Sequence, residues 1–275
     1  MFRRRPVIQL KTPEQIARMR EAGLVVAQTL ALLRDAVAPG VSTRELDTLA
    51  EATIRAAGAV PSFKGYHGFP ASICASVNDE IVHGIPGERR LVDGDLISID
   101  CGAILSGWHG DSAVTVPVGE VDPAVLDLLE VCENAMWRGI AAARLGGRLT
   151  DISHAIETAI RARGRYGIVQ EYVGHGIGTE MHQDPQVPNY GRPGRCPKLD
   201  LGLALAVEPM VNLGSRHTLM MDDGWTVKTA DGMLSSHFEH TFALTPDGPW
   251  VLTALDGGAD RLGSLGVTAK GALAP

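Results

Sequence analysis

The first sixty residues carry apolar side chains at helical spacing. The apolar stripe consists of Ile16, Met19, Val26, Leu30 and Leu33. Thr12 and Gln15 have the spacing of a capping box at the start of this stripe, and Pro39-Gly40 interrupts it. Ser42 and Glu45 repeat the capping-box spacing just beyond. The pattern therefore predicts two consecutive helices.

Strand patterns replace the helical ones in the next part of the chain. Residues 60–86 mix short apolar runs with glycine and proline, which indicates strands and loops. Leu96–Ile99 is a continuous apolar run, and Ser106-Gly107 is a turn signal that leads into a second strand pattern at Ala113–Val118. These two segments are predicted to form a hairpin.

The second half of the chain repeats the order of the first. Asp122-Pro123 begins a helical pattern that runs to about Leu145, and Thr150-Asp151 begins another. Strand patterns then occupy Ile168–Val173, Leu203–Asn212, Thr226–Thr229 and Phe238–Leu244. The order helix, helix, strands thus occurs twice, which predicts an internally duplicated α+β fold with a shared central sheet. We expect residues 1–10 to be an irregular lead-in, residues 11–255 to be one domain, and the glycine- and alanine-rich residues 256–275 to be a flexible tail.

Composition narrows the class of protein. The chain has 275 residues, of which 45% are hydrophobic, and a net charge of −7. That charge argues against binding nucleic acid directly. Its four cysteines form no CxxC pair, so we expect free thiols in a reducing cytoplasm. No apolar run approaches the ~20 residues of a membrane span, and we expect no membrane association.

Five metal-capable side chains lie in strand-like or loop segments. They are Asp100, Asp111, His175, Glu208 and Glu239. Four carboxylates and one imidazole are a hard, oxygen-rich set, which suits a pair of divalent ions better than a structural zinc ion. Two such ions can activate one water for hydrolysis. The predicted hairpin brings the two aspartates together, and Pro209 is expected to end or bulge the strand that carries Glu208.

Other histidines accompany this set. His175 lies between glycines that let the backbone approach a ligand closely. His182 follows seven positions later and is expected beside the site, not as a ligand. His83 is a further candidate. His67 is as well explained by packing, and His109 is expected to contact the site only indirectly.

Five motifs, in order along the chain, resemble those of type I methionine aminopeptidases. They are YHGFPASIC at 66–74, VHGIP at 82–86, DCGA at 100–103, GHGIGTEMH at 174–182 and EPM at 208–210. The fourth motif, GHGIGTEMH, continues as QDPQVPNY, which also fits that family. The likeness runs from about residue 10 to residue 255. Because no zinc-finger extension precedes it, the chain looks like the short bacterial form.

The resemblance implies a fold, a reaction and a set of roles. The fold would be the duplicated pita-bread fold, with a curved antiparallel sheet flanked by helices. The reaction would be metal-assisted removal of the N-terminal methionine, with a small second residue preferred. Asp100 would bind one ion with both oxygens, Asp111 and Glu239 would bridge two ions, and His175 and Glu208 would complete the second. Iron(II), manganese(II) and cobalt(II) all suit this set.

The resemblance also implies roles around the ions. Glu208 would carry protons, His182 would hydrogen-bond the substrate carbonyl oxygen, and His83 would contact the substrate backbone nitrogen. The methionine side chain would lie among Phe63, Tyr66, Phe69, Cys74, His83, Met181 and Trp225. Members of the family often have a small residue or cysteine where Phe63 stands, and an aromatic residue where Met181 stands. The implied partners are nascent polypeptide N-termini, with the ribosome nearby, and a monomer is expected.

Two alternatives remain open on the sequence. A proline-directed dipeptidase or aminopeptidase P shares the ligand set but usually carries a further N-terminal domain, for which the helix starting near residue 12 leaves no room. A non-catalytic binding module that has lost its metals is the second alternative. The presence of all five ligand residues, with His83 and His182, favours an enzyme over that module.

Overall fold

The computed structural model describes residues 8–268, and that range contains five α-helices, a short 3-10 helix and fifteen strands. The α-helices are α1 (Pro13–Ala36), α2 (Thr43–Ala56), α3 (Pro123–Ala141), α4 (Leu149–Arg163) and α5 (Ala259–Ser264). The first eight strands are β1 (Val60–Pro61), β2 (Ile73–Val77), β3 (Glu80–Val82), β4 (Leu96–Leu105), β5 (Trp108–Pro117), β6 (Gly167–Ile168), β7 (Gly174–Gly176) and β8 (Gln183–Val187). The remaining strands are β9 (Ala204–Val207), β10 (Met210–Asn212), β11 (Thr218–Met220), β12 (Val227–Thr229), β13 (Ser235–His237), β14 (Glu239–Thr245) and β15 (Gly248–Val251). None of the helices in residues 8–268 has the length and apolar character needed to cross a membrane.

The first two helices begin as the sequence predicts. The Thr12 hydroxyl accepts a hydrogen bond from the Gln15 backbone N–H at 3.3 Å. The Gln15 side-chain oxygen in turn accepts one from the Thr12 backbone N–H at 2.9 Å. Ser42 and Glu45 form the same reciprocal pair at the start of α2. Each capping box satisfies backbone donors that have no partner within the helix, so both starts are fixed locally.

The second pair of helices differs in detail from the prediction. Helix α3 ends at Ala141, short of Leu145, and the chain then turns at Gly146, which has a positive φ of 83° and donates its N–H to the carbonyl oxygen of Leu199. Helix α4 begins at Leu149, one residue before the predicted cap. Thr150 does not cap the helix, because its hydroxyl binds the backbone of Arg195 instead. The hydroxyl donates to the Arg195 carbonyl oxygen at 3.0 Å and accepts a hydrogen bond from the Arg195 N–H at 2.8 Å. The contact partner lies 45 residues away in sequence.

One nine-stranded antiparallel sheet joins the two halves. Its main path is β1-β4-β5-β14-β9-β7-β8, with β2 beside β4 and β15 beside β14. Helices α1 and α2 pack with the first-half strands of this sheet, whereas α3 packs with β9 and β14, and α4 packs against α3 and β8. Two three-stranded sheets, β13-β10-β6 and β11-β12-β3, complete the described part. The predicted α+β class with a shared central sheet is confirmed.

The predicted hairpin is confirmed and is longer than predicted. Strands β4 and β5 pair over their full lengths, from Leu96 opposite Pro117 to Leu105 opposite Trp108. Ser106 and Gly107 both have positive φ, 51° and 79°, which is the conformation of a two-residue turn that matches strand twist. Such a turn fixes the register of the whole hairpin.

Other strand predictions need correction. The predicted strand Leu203–Asn212 is divided into β9 and β10 at Glu208-Pro209, as the proline indicates. The predicted strand Ile168–Val173 is reduced to β6, because the chain then leaves its partner β10. The four cysteines are unpaired, in agreement with the expectation of free thiols.

Helix α1 approaches the back of the hairpin more closely than any side chain would allow. A Cβ atom on Gly110 would lie 2.8 Å from the Cα atom of Gly23, and one on Gly23 would lie 2.3 Å from the Leu252 carbonyl oxygen. The contact is therefore backbone against backbone. Because side chains alternate along a strand, Asp111 and Ala113 point to the opposite face of β5.

The segment after residue 255 differs from the expected flexible tail. Asp256 accepts hydrogen bonds from the backbone N–H groups of Gly258 and Asp260, both at 2.9 Å, and α5 follows. Leu262 is fully buried in the core cluster that contains α3 and α4. Leu265 and Val267 also pack against this cluster, and Arg261 lies 3.8 Å from Glu133 of α3, so several contacts hold the segment in place. Residues 269–275, and most of the lead-in, lie outside the described residues.

Candidate active site

Strand register places the five metal-capable side chains on one face of the large sheet. Asp100 and Glu239 each pair with Ala113 from opposite sides, so they share a row that crosses β4, β5 and β14. Cys74 pairs with Asp100 and extends this row to β2. Residues that lie opposite one another in an antiparallel pair point to the same face. The row therefore presents two carboxylates and a thiol side by side.

A second row runs parallel to the first. Asp111, two positions before Ala113, is held by Thr241, whose hydroxyl donates to the Asp111 carbonyl oxygen at 2.8 Å. Thr241 pairs with Ala206, and Ala206 pairs with His175. Asp111 and His175 thus lie in one row on the same face, with β14 and β9 between their strands, although they are far apart in sequence. Glu208 follows Ala206 by two positions at the end of β9.

The acidic side chains converge closely. A carboxylate oxygen of Asp111, one of Glu239 and an imidazole nitrogen of His175 all lie within 4.8 Å of one another. His175 Nε2 is 3.4 Å from Glu208 Oε1 and 3.9 Å from Asp111 Oδ2. Within residues 8–268, no lysine or arginine forms an ion pair with any of the four carboxylates. Like charges that approach this closely need a cation or protons between them.

Three buried oxygens of this cluster lack any hydrogen-bond partner in the described structure. They are Asp100 Oδ1, Asp111 Oδ1 and Glu239 Oε1. Orphaned carboxylate oxygens inside a protein are costly, and a bound divalent ion satisfies them. The donor set of carboxylate oxygens with one imidazole also matches what such ions prefer. The side chains present therefore fit a metal centre.

Burial controls protonation across the cluster. It raises the pKa of Asp100 to about 7. Burial, with the neighbouring acids Glu239 and Asp100, raises the pKa of Asp111 well above its ordinary value. The same causes raise the pKa values of Glu208 and Glu239. Without a cation the acids therefore bind protons more readily than exposed acids do, and a metal ion competes with those protons for the site.

His175 is oriented as a ligand by its own backbone. Its Nδ1 lies 3.0 Å from the carbonyl oxygen of Gly176, which can only accept. The proton must then be on Nδ1, and Nε2 presents a lone pair toward Asp111 and Glu208. Burial lowers the pKa of His175 to about 3, so the ring is neutral. This arrangement of the far ring nitrogen is usual for metal-binding histidines.

A cavity of about 140 Å³ adjoins the acidic cluster. Apolar or sulfur-containing side chains form its walls: Phe63, Tyr66, Phe69, Cys74, Met181 and Trp225. His83 and His182 line it as well, beside the five metal-capable residues. The structure thus brings all of the predicted site residues to one place. Their individual roles stay predictions.

The two accessory histidines are held differently. His83 has a positive φ of 60°, an uncommon conformation for this residue type, and its ring packs against Tyr172 and Trp225. Burial lowers the pKa of His83 to about 4. The ring of His182 lies against that of His175, with a centroid separation of 4.4 Å, and its Nδ1 is 2.9 Å from the Tyr66 hydroxyl.

Two further histidines were missed or underweighted by sequence reasoning. His237 is buried, and its Nε2 lies 3.9 Å from Glu208 Oε2 without a hydrogen-bond partner in the described structure. Its position two residues before Glu239 is the only signal that the sequence offers. His109 bonds Ser62 through Nδ1 at 3.1 Å, and its backbone N–H donates to Gly178 O at 2.9 Å. His109 thereby ties the hairpin to the glycine-rich loop, in line with the expected indirect contact.

Larger concavities lie elsewhere on the surface. One of them, about 590 Å³, lies between α3 and α4, and its lining includes several alanines together with Arg138, Arg144 and His154. It contains no convergent acids and no orphaned polar atoms. Size alone therefore does not mark the reactive site, and the smaller cavity beside the acids is the one with chemistry.

Comparison with known proteins agrees with this site. Residues 17–246 match the model of metallopeptidase family M24. The chain is 53% identical over 247 residues to methionine aminopeptidase 1 of Bacillus subtilis, covering 90% of this chain and 99% of that protein. It is also 53% identical over 258 residues to methionine aminopeptidase 1 of Mycobacterium tuberculosis, covering 92% and 97%.

Solved structures give the same result for the fold. A methionine aminopeptidase from Rickettsia prowazekii superposes with a TM-score of 0.88 at 40% identity, covering 90% of this chain and all of that one. Prolidase from Pyrococcus furiosus superposes with a TM-score of 0.70 at 22% identity, and the match covers only 65% of that chain. The prolidase likeness extends to the fold alone. The predicted pita-bread fold is confirmed, and the chain belongs to metallopeptidase family M24, in its methionine aminopeptidase branch.

Proposed function

We propose that this protein removes the N-terminal methionine from polypeptides by metal-assisted hydrolysis of the first peptide bond. One observation carries the proposal: the acidic cluster and an apolar, sulfur-lined cavity form a single pocket. In such a pocket one amino acid can place its side chain in the apolar part and its carbonyl group beside the acidic cluster. The likeness to enzymes named methionine aminopeptidase supports the same substrate.

The metal-holding residues in this proposal are Asp100, Asp111, His175, Glu208 and Glu239. Two divalent ions, when bound, supply Lewis acidity and make water a nucleophile at neutral pH. Iron(II), manganese(II) and cobalt(II) all suit these donors, and availability in the cell decides among them. The orphaned oxygens described above support this assignment.

Three side chains perform the remaining chemistry. Glu208 takes a proton from the attacking water at its carboxylate and delivers it to the departing amine. His182 donates a hydrogen bond to the substrate carbonyl oxygen as that oxygen gains charge. His83, neutral because burial lowers its pKa to about 4, contacts the substrate backbone nitrogen and the leaving amine.

Substrate choice follows from the walls of the cavity. Methionine is unbranched, flexible and polarizable, and its sulfur makes favourable contacts with aromatic rings such as Phe69 and Trp225. Phe63 and Met181 belong to the same packed cluster, so the two positions that differ from the family pattern both line this cavity. A free α-amine at the centre directs the enzyme to N-termini, and crowding by the glycine-rich loops favours a small second residue.

The natural substrates in this proposal are nascent polypeptides, which places the enzyme in the cytoplasm and near the ribosome exit. Nucleic acid and membrane have no part in the reaction. A monomer has the whole site, because all proposed residues come from one chain. The basic cluster Arg3–Arg5 lies outside the described residues.

Initial rates on four tripeptides test the proposal. We expect Met-Ala-Ser to be cut well, Met-Lys-Ser poorly and formyl-Met-Ala-Ser not at all. Leu-Ala-Ser should be cut more slowly than Met-Ala-Ser, because each methylene-sized change of the side chain raises the activation free energy by ~1–3 kcal/mol. An Ala-Pro dipeptide should resist, which separates this activity from that of a prolidase. If Leu-Ala-Ser is cut as well as Met-Ala-Ser, the methionine assignment fails and a broader metalloaminopeptidase remains.

A further inference from the structure

The Nδ1 atoms of two neighbouring histidines in the site, His175 and His182, face different hydrogen-bonding partners. His175 Nδ1 faces the Gly176 carbonyl oxygen, an acceptor, whereas His182 Nδ1 faces the Tyr66 hydroxyl, which can donate. A neutral imidazole carries one proton, and the bond made by one nitrogen decides which nitrogen has it. The two rings are therefore set up as opposite tautomers.

We propose that Tyr66 is a positioning residue whose hydroxyl holds His182 in the tautomer protonated at Nε2. The ring then presents an N–H, not a lone pair, to the substrate carbonyl oxygen. This inference rests on the proposed function and deepens it, because it assigns the origin of the oxyanion donor. It also separates two roles of Tyr66, since the ring is a pocket wall and the hydroxyl acts through His182.

The direction of the Tyr66–His182 hydrogen bond follows from the acidity of the two groups. A phenol O–H is a stronger acid than the N–H of neutral imidazole, and an imidazole nitrogen is a stronger acceptor than a phenol oxygen. The phenol therefore donates to Nδ1 at the observed 2.9 Å. With the opposite tautomer, the Nε2 lone pair would repel the developing negative charge on the substrate.

The position of the hydroxyl is set by structure other than His182. The backbone N–H of Tyr66 donates to Phe63 O at 2.9 Å, and Phe69 N–H donates back to Tyr66 O at 2.9 Å. Gly65 has a φ of 89° just before this turn, and the His67 ring packs edge-on at 4.3 Å from the Tyr66 ring. The hydroxyl is thus in place before substrate binds, as a preorganised donor requires.

Tyr66→Phe tests the inference, because it keeps the wall and removes only the hydroxyl. We expect kcat for Met-Ala-Ser to fall about 3- to 10-fold, which is the scale of one hydrogen bond, with KM little changed. In ¹⁵N NMR spectra of metal-free wild-type protein, His182 should show an unprotonated Nδ1 and a protonated Nε2. In Tyr66→Phe both signals should move toward a mixture of tautomers. Their loss in His182→Ala identifies them.

A double-mutant comparison decides whether Tyr66 acts through His182. In a His182→Ala background, Tyr66→Phe should lower kcat no further. Tyr166→Phe is the control, because it removes a phenol hydroxyl that donates to the Asp127 carboxylate, outside the site. This variant should leave kcat unchanged. An equal loss in both backgrounds, or a wild-type His182 protonated at Nδ1, overturns the inference. Failure to cut methionyl peptides would instead remove the proposed function, while the NMR result would still test the tautomer.

Discussion

The two halves of the molecule contribute to the acidic cluster in different ways. Asp100 and Asp111 come from one hairpin, and a two-residue turn fixes their relation. His175, Glu208 and Glu239 follow one another along the chain at widely spaced positions, and only the pairing of β7, β9 and β14 brings them together. The first half therefore offers a locally determined pair of ligands, whereas the second half offers three whose positions require the finished sheet. A metal centre built this way depends on both halves being folded.

The largest expected effect comes from removing a charge on the first-half side. Asp111→Asn keeps the size of the side chain but removes the negative charge that ions need. We expect bound metal and peptidase activity both to fall to background. Elemental analysis of protein purified anaerobically without chelator, with rates on Met-Ala-Ser, measures this. Asp127→Asn, a surface change on α3, is the matched control, and full activity with full metal content in the Asp111 variant would show the assignment to be wrong.

A second-half residue beside the ions should separate binding from catalysis. His182→Ala is expected to lower kcat by roughly 10²–10³, the usual loss for an oxyanion donor. Metal content should stay unchanged, because His182 Nδ1 is engaged by Tyr66 and the residue is not among the proposed ligands. Parallel loss of metal and activity would make His182 a ligand and remove this distinction.

Two glycine substitutions sharpen the comparison between local and long-range construction. A Cβ on Gly174, in β7, would lie 2.3 Å from the backbone oxygen of Ala206, which cannot move without disturbing β9. A Cβ on Gly102, in the hairpin, would meet the side chains of Phe63 and Ser62 at 2.8 Å. We expect Gly174→Ala to lower the free energy of unfolding by ~1–3 kcal/mol, and Gly102→Ala by less. Urea denaturation measures both, and the reverse order would contradict the argument.

The smallest expected effect is a pH dependence of the metal-free protein. Burial raises the pKa of Asp100 to about 7 from an unfolded value near ~4, so the folded state holds the extra proton and stability falls as pH rises through 7. Buried histidines such as His175, with a pKa of about 3, act in the opposite direction, but only below ~6.5. Thermal unfolding of metal-free protein should therefore shift to lower temperature from pH 6.5 to pH 8. Saturating manganese(II) should abolish that shift, and an unchanged midpoint without metal would contradict it.

Local signals accounted for much of the fold. The capping boxes of α1 and α2, the hairpin turn and the break at Pro209 all involve residues within a few positions of each other, so the sequence predicts them correctly. The start of α4 was misplaced because the hydroxyl of Thr150 is engaged by a loop 45 residues away. Residues 256–275 are predicted to fray because they are rich in glycine and alanine, and only the packed structure shows that Leu262 is buried.

In the candidate site, too, the features set by local sequence are predicted and those set by long-range contacts are not. Motif spacing pointed to the residues that surround the cavity, since each one lies in a distinctive local context. It did not indicate which atoms face one another. The approach of His237 to Glu208, and the hydrogen bond from Tyr66 to His182, join residues on separate segments and need the assembled sheet. The sequence therefore predicts which residues line the site, but it does not predict their side-chain orientations or the tautomers of the histidines.

The backbone contact between Gly23 and Gly110 has a genetic consequence. No side chain stands between helix and strand there, so no rotamer change can absorb an added methyl group. Gly110→Ala must push β5 away from α1, and Asp111 is the next residue along that strand. Gly23→Ala must instead displace the backbone at Leu252, whose N–H donates to the carbonyl oxygen of Thr241, the residue that holds Asp111. A random-mutagenesis screen for loss of peptidase function should therefore recover changes at these two glycines, on the far side of the sheet from the substrate, alongside changes in the ligands themselves.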